Sequence, residues 1–239
     1  MSGHSKWATI KHKKAKEDSK RGKIFTRLIR ELTVAAREGG GDPSGNAKLR
    51  LIIEKAKAVN MPKDNIDRAI KKGTGEIAGT SYENIVYEGY TPAGVAVIIE
   101  VLTDNRKRAV ADVRHVFSRL GGNLAEAGSV SWMFEHKGVI RAAANGHSED
   151  EILEKLIDYE VDDVSVDDGI VSIYCDQKNL ENIKKAVEEI GLKIEDAQIE
   201  WVAKTLMSLE DKNQEEKVYK FLEQIEELDD VQNVYTNLS

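Results

Sequence analysis

Residues 161–175, which read VDDVSVDDGIVSIYC, have the pattern of a β-hairpin. Apolar and polar side chains alternate through much of 161–166, and a mostly apolar run fills 170–175. Between them lies Asp167-Asp168-Gly169, and Asp-Gly is a favoured pair in the tight turns that join antiparallel strands. We therefore predict two paired strands here, around which the neighbouring elements are arranged.

The neighbouring segments complete a β-α-β-β-α-β order. Strand patterns occur at 130–141 and 193–201, and the apolar spacing of helices occurs at 149–159 and 180–190. This order of elements is that of a ferredoxin-like domain. We predict that residues 130–203 form such a domain.

Three amphipathic helices are predicted near the N-terminus. The first starts near Lys23 and ends at the glycines 39–41, the second covers 49–59, and Pro62 opens the third, which ends at Gly73. Together with the segment before them, these helices predict a basic arm and a small helical domain in residues 1–76.

The segments on either side of residues 130–203 are incomplete on their own. The first carries two strand patterns joined by a turn and one helix, which make only half a sheet, and the second carries one helix and one strand that have no partners of their own. We predict that 77–129 and 204–239 form one discontinuous α/β domain, again ferredoxin-like, into which the other is inserted. The predicted fold class is α+β.

Charge is divided unevenly along the chain. Residues 1–75 contain 19 Lys and Arg against 8 Asp and Glu, whereas the remaining residues contain 16 against 34, so the net charge of −7 conceals a basic first third. Such asymmetry is typical of proteins that bind a polyanion through one segment. Because the acidic remainder would repel nucleic acid, we expect any such contact to be organised around the first third.

The basic segment 1–23 combines cations with an aromatic ring. It holds few apolar side chains to offset its ordering entropy, so we expect a mobile or partner-ordered arm. Its cations suit phosphates and Trp7 offers a face on which a base can stack; alternatively, the charges are solvated and Trp7 packs on the core. With two arginines of the first helix, the candidate nucleic-acid contacts are Lys6, Trp7, Lys11, His12, Lys13, Lys14, Lys16, Lys20, Arg21, Lys23, Arg27 and Arg30.

A second candidate site lies where a predicted strand meets a predicted helix. Three cations in the first turn of a helix oppose its dipole, which indicates an anion site made by Asn105, Arg106, Lys107 and Arg108. The alternative is that Asp104 caps the helix and its charge offsets the unfavourable cations. Both interpretations remain open.

The sequence argues against catalysis, a cofactor or a bound metal. The glycines at 40 and 45 have the spacing of a phosphate-binding loop, but Asn46 and Ala47 stand where Lys and Ser or Thr are required. The single Cys175 lies in a strand pattern, where a buried and inert thiol is expected. Because the sequence has no secretion signal and no long apolar run, we expect a cytoplasmic protein. Because its catalytic motifs are incomplete, we expect it to be non-enzymatic.

Several segments resemble the YebC/PmpR family. The opening MSGHSKWATIKHK at residues 1–13 is the longest, followed by RGKIF at 21–25, LTVAAREGG at 32–40 and AIKKGTG at 69–75. Shorter similarities occur in order at 87–90, 103–106, 121–124 and 128–130.

The resemblance implies three domains around a cleft and a DNA-binding regulator of transcription. It also implies an alternative, because mitochondrial relatives activate translation: a ribosome-associated factor that binds ribosomal RNA and relieves stalls, for example at proline runs. An acidic protein-interaction scaffold is a third hypothesis. The expected partner is DNA or ribosomal RNA, with DNA-bound regulation placed first.

Overall fold

Three helices form a small bundle at the N-terminal side of the computed structural model, which describes Trp7 and residues 21–239. In chain order the elements are α1 (Arg21–Gly39), α2 (Ala47–Ala58), α3 (Lys63–Gly73), β1 (Glu83–Tyr90), β2 (Ala96–Thr103), α4 (Arg106–Leu120), β3 (Asn123–Ala125), a 3-10 turn (Ser131–Met133), β4 (Phe134–Ala143), α5 (Glu149–Lys155), β5 (Val161–Asp167), β6 (Ile170–Asp176), α6 (Leu180–Glu189), β7 (Ile194–Ala203), α7 (Lys212–Glu226) and β8 (Val231–Thr236).

The bundle has its own apolar core and one close helix crossing. Leu32, Leu49 and Ala69, one from each helix, are almost fully buried together. At the crossing of α1 and α3, a Cβ added to Gly73 would lie 2.3 Å from the main-chain oxygen of Thr33. Only glycine permits this approach, so the glycine that ends α3 also sets the spacing of the bundle.

The first sheet has the strand order β3-β1-β2-β8, and every neighbouring pair is antiparallel. Helices α4 and α7 cover one of its faces, where Phe117 and Phe221 meet edge to face with ring centroids 4.9 Å apart. The three-residue strand β3 was not predicted. The sheet has four strands and two helices, but its β-β-α-β then α-β connectivity differs from that of a ferredoxin-like unit.

Trp7 belongs to the core of this first sheet. Its side chain is 2% exposed and lies with the apolar residues of β2, α4 and α7, and its ring stacks on Tyr219 with centroids 6.0 Å apart. The prediction that Trp7 offers a free face for a base is therefore wrong for this arrangement, because that face is covered by the core. The alternative, a tryptophan packed on the core, is the observed one.

The second sheet has the order β5-β6-β4-β7 and is antiparallel throughout. With α5 and α6 it makes the β-α-β-β-α-β unit that the sequence predicts, and the α+β class is confirmed. The hairpin turn contains Asp168 and Gly169 at φ 52° and 81°, the left-handed pair of a type I′ turn. The predicted strand at 130 begins later, at Phe134, because residues 131–133 form the 3-10 turn.

The two sheets pack against each other through a mixed interface. Its apolar part includes Ile98, Phe134 and Tyr235. Its polar part includes a buried ion pair in which Arg141 donates to Glu200, with N–O distances of 2.5 and 2.8 Å. The residues between β3 and α7 thus form the second sheet, and β8 returns to the first. The exact domain boundaries at residues 76, 129 and 203 remain predictions.

We predict that Trp7→Ala lowers the free energy of unfolding by about 3–5 kcal/mol, as deletion of a buried large aromatic side chain does. Trp132→Ala is the matched control, because the Trp132 side chain is 67% exposed and its loss should change stability by only about 0.5 kcal/mol. Urea unfolding measures both. Equal free energies of unfolding for the two variants would show that Trp7 is not part of the core.

Candidate nucleic-acid interface

The C-terminal end of α7 accepts three cations from α1. These side chains lie four and three residues apart, so they share one face of α1. The hydrogen bonds run from Lys23 to the main-chain oxygen of Glu227, from Arg27 to that of Glu226, and from Arg30 to that of Asp229 at 2.6 Å. The last carbonyls of a helix lack intrahelical donors and carry the negative end of its dipole, so these cations cap α7 from outside.

This contact changes the interpretation of three candidate residues. Burial lowers the pKa of Arg27, although Glu226 and Glu31 act in the opposite direction. The side chain of Arg30 is only 14% exposed. Lys23, Arg27 and Arg30 were predicted to face a phosphate backbone, but the structure turns their charged groups toward α7. Their role in this structure is to hold the helical bundle to the first sheet.

Asp230 joins the two predicted basic sites. Its carboxylate, 7% exposed, lies 3.0 Å from the guanidinium of Arg30 and 2.8 Å from that of Arg108, and it accepts a hydrogen bond from the Thr103 hydroxyl at 2.8 Å. Hydrogen bonds to Asp230 and Asp104 raise the pKa of Arg108. One buried carboxylate therefore links α1, the end of β2 and the start of α4.

This geometry reduces the number of candidate residues for the anion site at the start of α4. Asn105 is the cap, since its side-chain oxygen accepts from the main-chain N–H of Arg108 at 3.1 Å. Asp104, which was the cap in the alternative interpretation, instead binds the Arg108 side chain at 2.8 Å. Arg106 and Lys107 are exposed and remain the candidates for an anion.

The cations of the arm lie outside the described residues. These are Lys6, Lys11, His12, Lys13, Lys14, Lys16 and Lys20; Arg21 opens the main chain of α1. Their assignment to nucleic acid stays a prediction. The described part of the chain fixes the positions of residues on both sides of this segment, Trp7 in the sheet core and Lys23 on α7.

A second tryptophan, not singled out from the sequence, lies in an ordered turn on the surface. The carboxylate of Glu88, 5% exposed, accepts from the main-chain N–H groups of Gly128, Val130 and Ser131 at 2.7–2.8 Å. Burial opposes ionisation of Glu88, but these bonds outweigh it and lower its pKa. The turn that follows carries Trp132, which is 67% exposed. In the sequence, the only sign of this site is an aromatic residue three positions after the Gly128-Ser129 pair.

A cleft of about 480 Å³ lies between the helical bundle and the two sheets, as the family resemblance implies. Its walls include Leu51 and Lys55 of α2, Val86 of β1, Ile199 of β7 and Gln232 of β8. Lys55 is paired with Asp196 at 3.3 Å. The walls are mainly apolar with charges of both signs, so the cleft does not select a phosphate backbone.

The described residues contain no metal site, no membrane-spanning helix and no reactive thiol. Trp7 and residues 21–239 contain no group of His, Cys, Asp and Glu side chains arranged to hold a metal ion. None of the helices described for 21–239 has the length and apolar character needed to cross a membrane. Burial raises the pKa of the Cys175 thiol to about 12, so it stays protonated at neutral pH, which suits the inert role expected of it.

Comparison with known proteins identifies the family. The model described as the TACO1/YebC protein N-terminal domain matches residues 5–76, and that described as the TACO1/YebC second and third domain matches residues 82–238. The chain belongs to the TACO1/YebC family. These two segments span the helical bundle and both sheets, and the resemblance found in the sequence is confirmed.

Other members of the TACO1/YebC family are similar over nearly the whole chain. Proteins named "Probable transcriptional regulatory protein" from Chlorobaculum tepidum and Halothermothrix orenii are 52% and 50% identical to it, covering 100% and 99% of this chain and 95% and 94% of their own lengths. The crystal structure of a conserved hypothetical protein from Aquifex aeolicus has a TM-score of 0.90 at 48% identity, covering 98% of this chain and 97% of that one.

We predict that Asp230→Asn lowers the free energy of unfolding by about 3 kcal/mol, because it leaves two cations without their shared carboxylate. Asp229→Asn is the matched control: it removes a neighbouring exposed carboxylate but keeps the main-chain oxygen that Arg30 uses, so it should cost only about 0.5 kcal/mol. Urea unfolding of both variants measures the difference. Similar losses would exclude Asp230 as the junction.

Proposed function

We propose that this protein is a non-enzymatic, nucleic-acid-binding regulator of gene expression, with DNA-bound regulation of transcription as its first role. The observation that carries the proposal is the segregation of charge, 19 cations against 8 anions in residues 1–75 and 16 against 34 in the rest. A basic segment on an acidic body is the arrangement that attracts a polyanion to one place. The names of the curated relatives support the transcriptional form.

The contacts of α1 divide the basic segment into two groups. Lys23, Arg27 and Arg30 hold α1 on the end of α7, and Arg30 also binds Asp230. The proposed phosphate contacts are therefore the arm cations, chiefly Lys11, His12, Lys13, Lys14, Lys16 and Lys20. Trp7 and Lys23, which lie on either side of these cations in the sequence, are both held by the body of the protein.

A role at the ribosome is the second candidate. The basic face of α1 lies against α7, so this helix does not offer its cations to the major groove as a recognition helix would. Lysines of an arm contact phosphates, which position a nucleic acid without reading its sequence. Such contacts suit ribosomal RNA as well as duplex DNA, so the measurement that separates the two candidates is a preference for one substrate over the other at matched salt concentration.

The test is the salt dependence of binding. For the parent protein we expect the logarithm of affinity to fall with the logarithm of salt concentration, with a slope of about −0.9 per phosphate contacted on duplex DNA and about −0.7 on single strands. Changing Lys11, Lys13 and Lys14 together to Glu should weaken binding roughly equally for different sequences and make the slope shallower. Fluorescence anisotropy with labelled oligonucleotides measures both quantities.

The matched control changes Lys212, Lys217 and Lys220 to Glu. These three side chains are exposed on α7, so the net charge changes equally while the arm is untouched. We expect this control to keep most of the parent affinity and its salt slope. Equal losses in the two triple variants would mean that net charge alone governs binding, and parent-like binding by the arm variant would remove the arm as the binding element.

A further inference from the structure

The segment that joins β3 to β4 presents one tryptophan to solvent. Trp132 is 67% exposed, whereas Trp7 is 2% exposed and Trp201 is half-buried with its N–H bound to Glu100. A tryptophan side chain has 150–250 Å² to bury, and leaving it in water forgoes a large apolar contribution to folding. Single exposed apolar side chains are common, but a tryptophan on an ordered turn is a candidate for a contact with something outside the chain.

The turn beneath Trp132 is held from one buried side chain. The Glu88 carboxylate accepts the N–H groups of Gly128, Val130 and Ser131, and each of these bonds joins an ionised acceptor to the main chain. Bonds of this charge-assisted kind are roughly twice as strong as neutral ones. The Tyr90 hydroxyl adds a bond to the Ser129 carbonyl at 3.3 Å. The loop is thus ordered before any partner arrives.

The indole ring is fixed through its Nε1–H and is largely exposed. Its Nε1–H donates to the Ser129 carbonyl at 3.0 Å, so the one polar atom of the side chain is already satisfied. The ammonium group of Lys204 donates to the main-chain oxygen of Trp132 at 3.0 Å, and Lys204 is itself exposed. What the site offers a partner is a flat aromatic surface with a cation beside it.

We propose that Trp132 is a stacking site for an unpaired base of a single-stranded nucleic acid, with Lys204 beside it to meet the backbone phosphate. This inference rests on the proposed nucleic-acid function and assigns to Trp132 the role that the sequence suggested for Trp7. Aromatic faces flanked by cations are how proteins bind single strands with little sequence preference. A base inside a duplex has no free face and cannot use the site.

The surroundings of Trp132 favour a base over a protein partner. The other large apolar side chains that are exposed in the described residues are Ile77, Val86, Leu153, Ile157, Tyr159 and Ile199, and none lies in 126–135 or 201–206. A stable protein interface buries about 800 Å² on each partner around an apolar centre. A single ring beside a lysine has the dimensions of one nucleobase and its phosphate.

The experiment measures binding of an oligouridylate of about 12 nucleotides and of duplex DNA to the full chain. Trp132→Ala should reduce affinity for the single strand about 5- to 150-fold, the range expected for the loss of one stacked base, and should leave duplex affinity within about twofold. Trp132→Phe keeps an aromatic face, so it should retain part of the affinity. Ile157→Ala, which removes an exposed apolar side chain elsewhere, is the control and should bind both as the parent does.

Tryptophan fluorescence measures binding at Trp132 directly and is a second test. Because Trp7 is buried and Trp201 is half-buried, we expect the single strand to quench the emission of the parent and to quench that of Trp132→Phe much less. Unchanged single-strand affinity in Trp132→Ala, or an equal loss on duplex and single strand, would overturn the stacking site while leaving the arm-based proposal intact. Failure of the parent to bind either substrate would overturn both proposals.

Discussion

The arrangement of the helical bundle on the first sheet depends on the junction at Asp230. This buried carboxylate binds Arg30 of α1 and Arg108 of α4, and its main-chain oxygen accepts from Leu102 at the end of β2. It also directly precedes β8, the strand that returns from the second sheet to the first. Because α1 adds its cations to the carbonyls just before Asp230, the bundle, the first sheet and the chain re-entry are fixed at one place. Arg108 and Thr103 donate hydrogen bonds to this carboxylate and Arg30 lies 3.0 Å from it, so its removal would leave two cations without their shared counter-charge.

The same junction explains why composition alone overstates the free basic charge. In the sequence, Arg27 and Arg30 are indistinguishable from the lysines of the arm, because all belong to the basic first third. In the fold they face the negative end of α7, where helix carbonyls without donors favour cations. The role of a basic residue on an ordered helix therefore depends on the neighbour that the fold places beside it. For the cations of the arm, the proposed binding to nucleic acid still rests on their charge.

Local patterns predicted most of the fold, and tertiary packing decided what they missed. The Asp168-Gly169 turn and the β-α-β-β-α-β order follow from residues adjacent in sequence, so they were predictable. The burial of Trp7 and the exposure of Trp132 depend on elements far along the chain, α7 in one case and Glu88 in the other. The cap of α4 could not be assigned from the sequence for a smaller reason, because Asp104 and Asn105 are both good caps and only the main-chain geometry selects Asn105.

The two proposed nucleic-acid contacts are built on the same sheet. Trp7, which lies in the sequence between Lys6 and the other arm lysines, belongs to the core of the first sheet, and Glu88, which orders the Trp132 turn, lies on strand β1 of that sheet. A single strand that reaches Trp132 while its phosphates contact the arm makes the second contact as an intramolecular step, at a high effective concentration. The affinity of the whole would then exceed what either contact supplies separately. An ordered aromatic side chain together with a series of cations suits a nucleic acid that is partly unpaired.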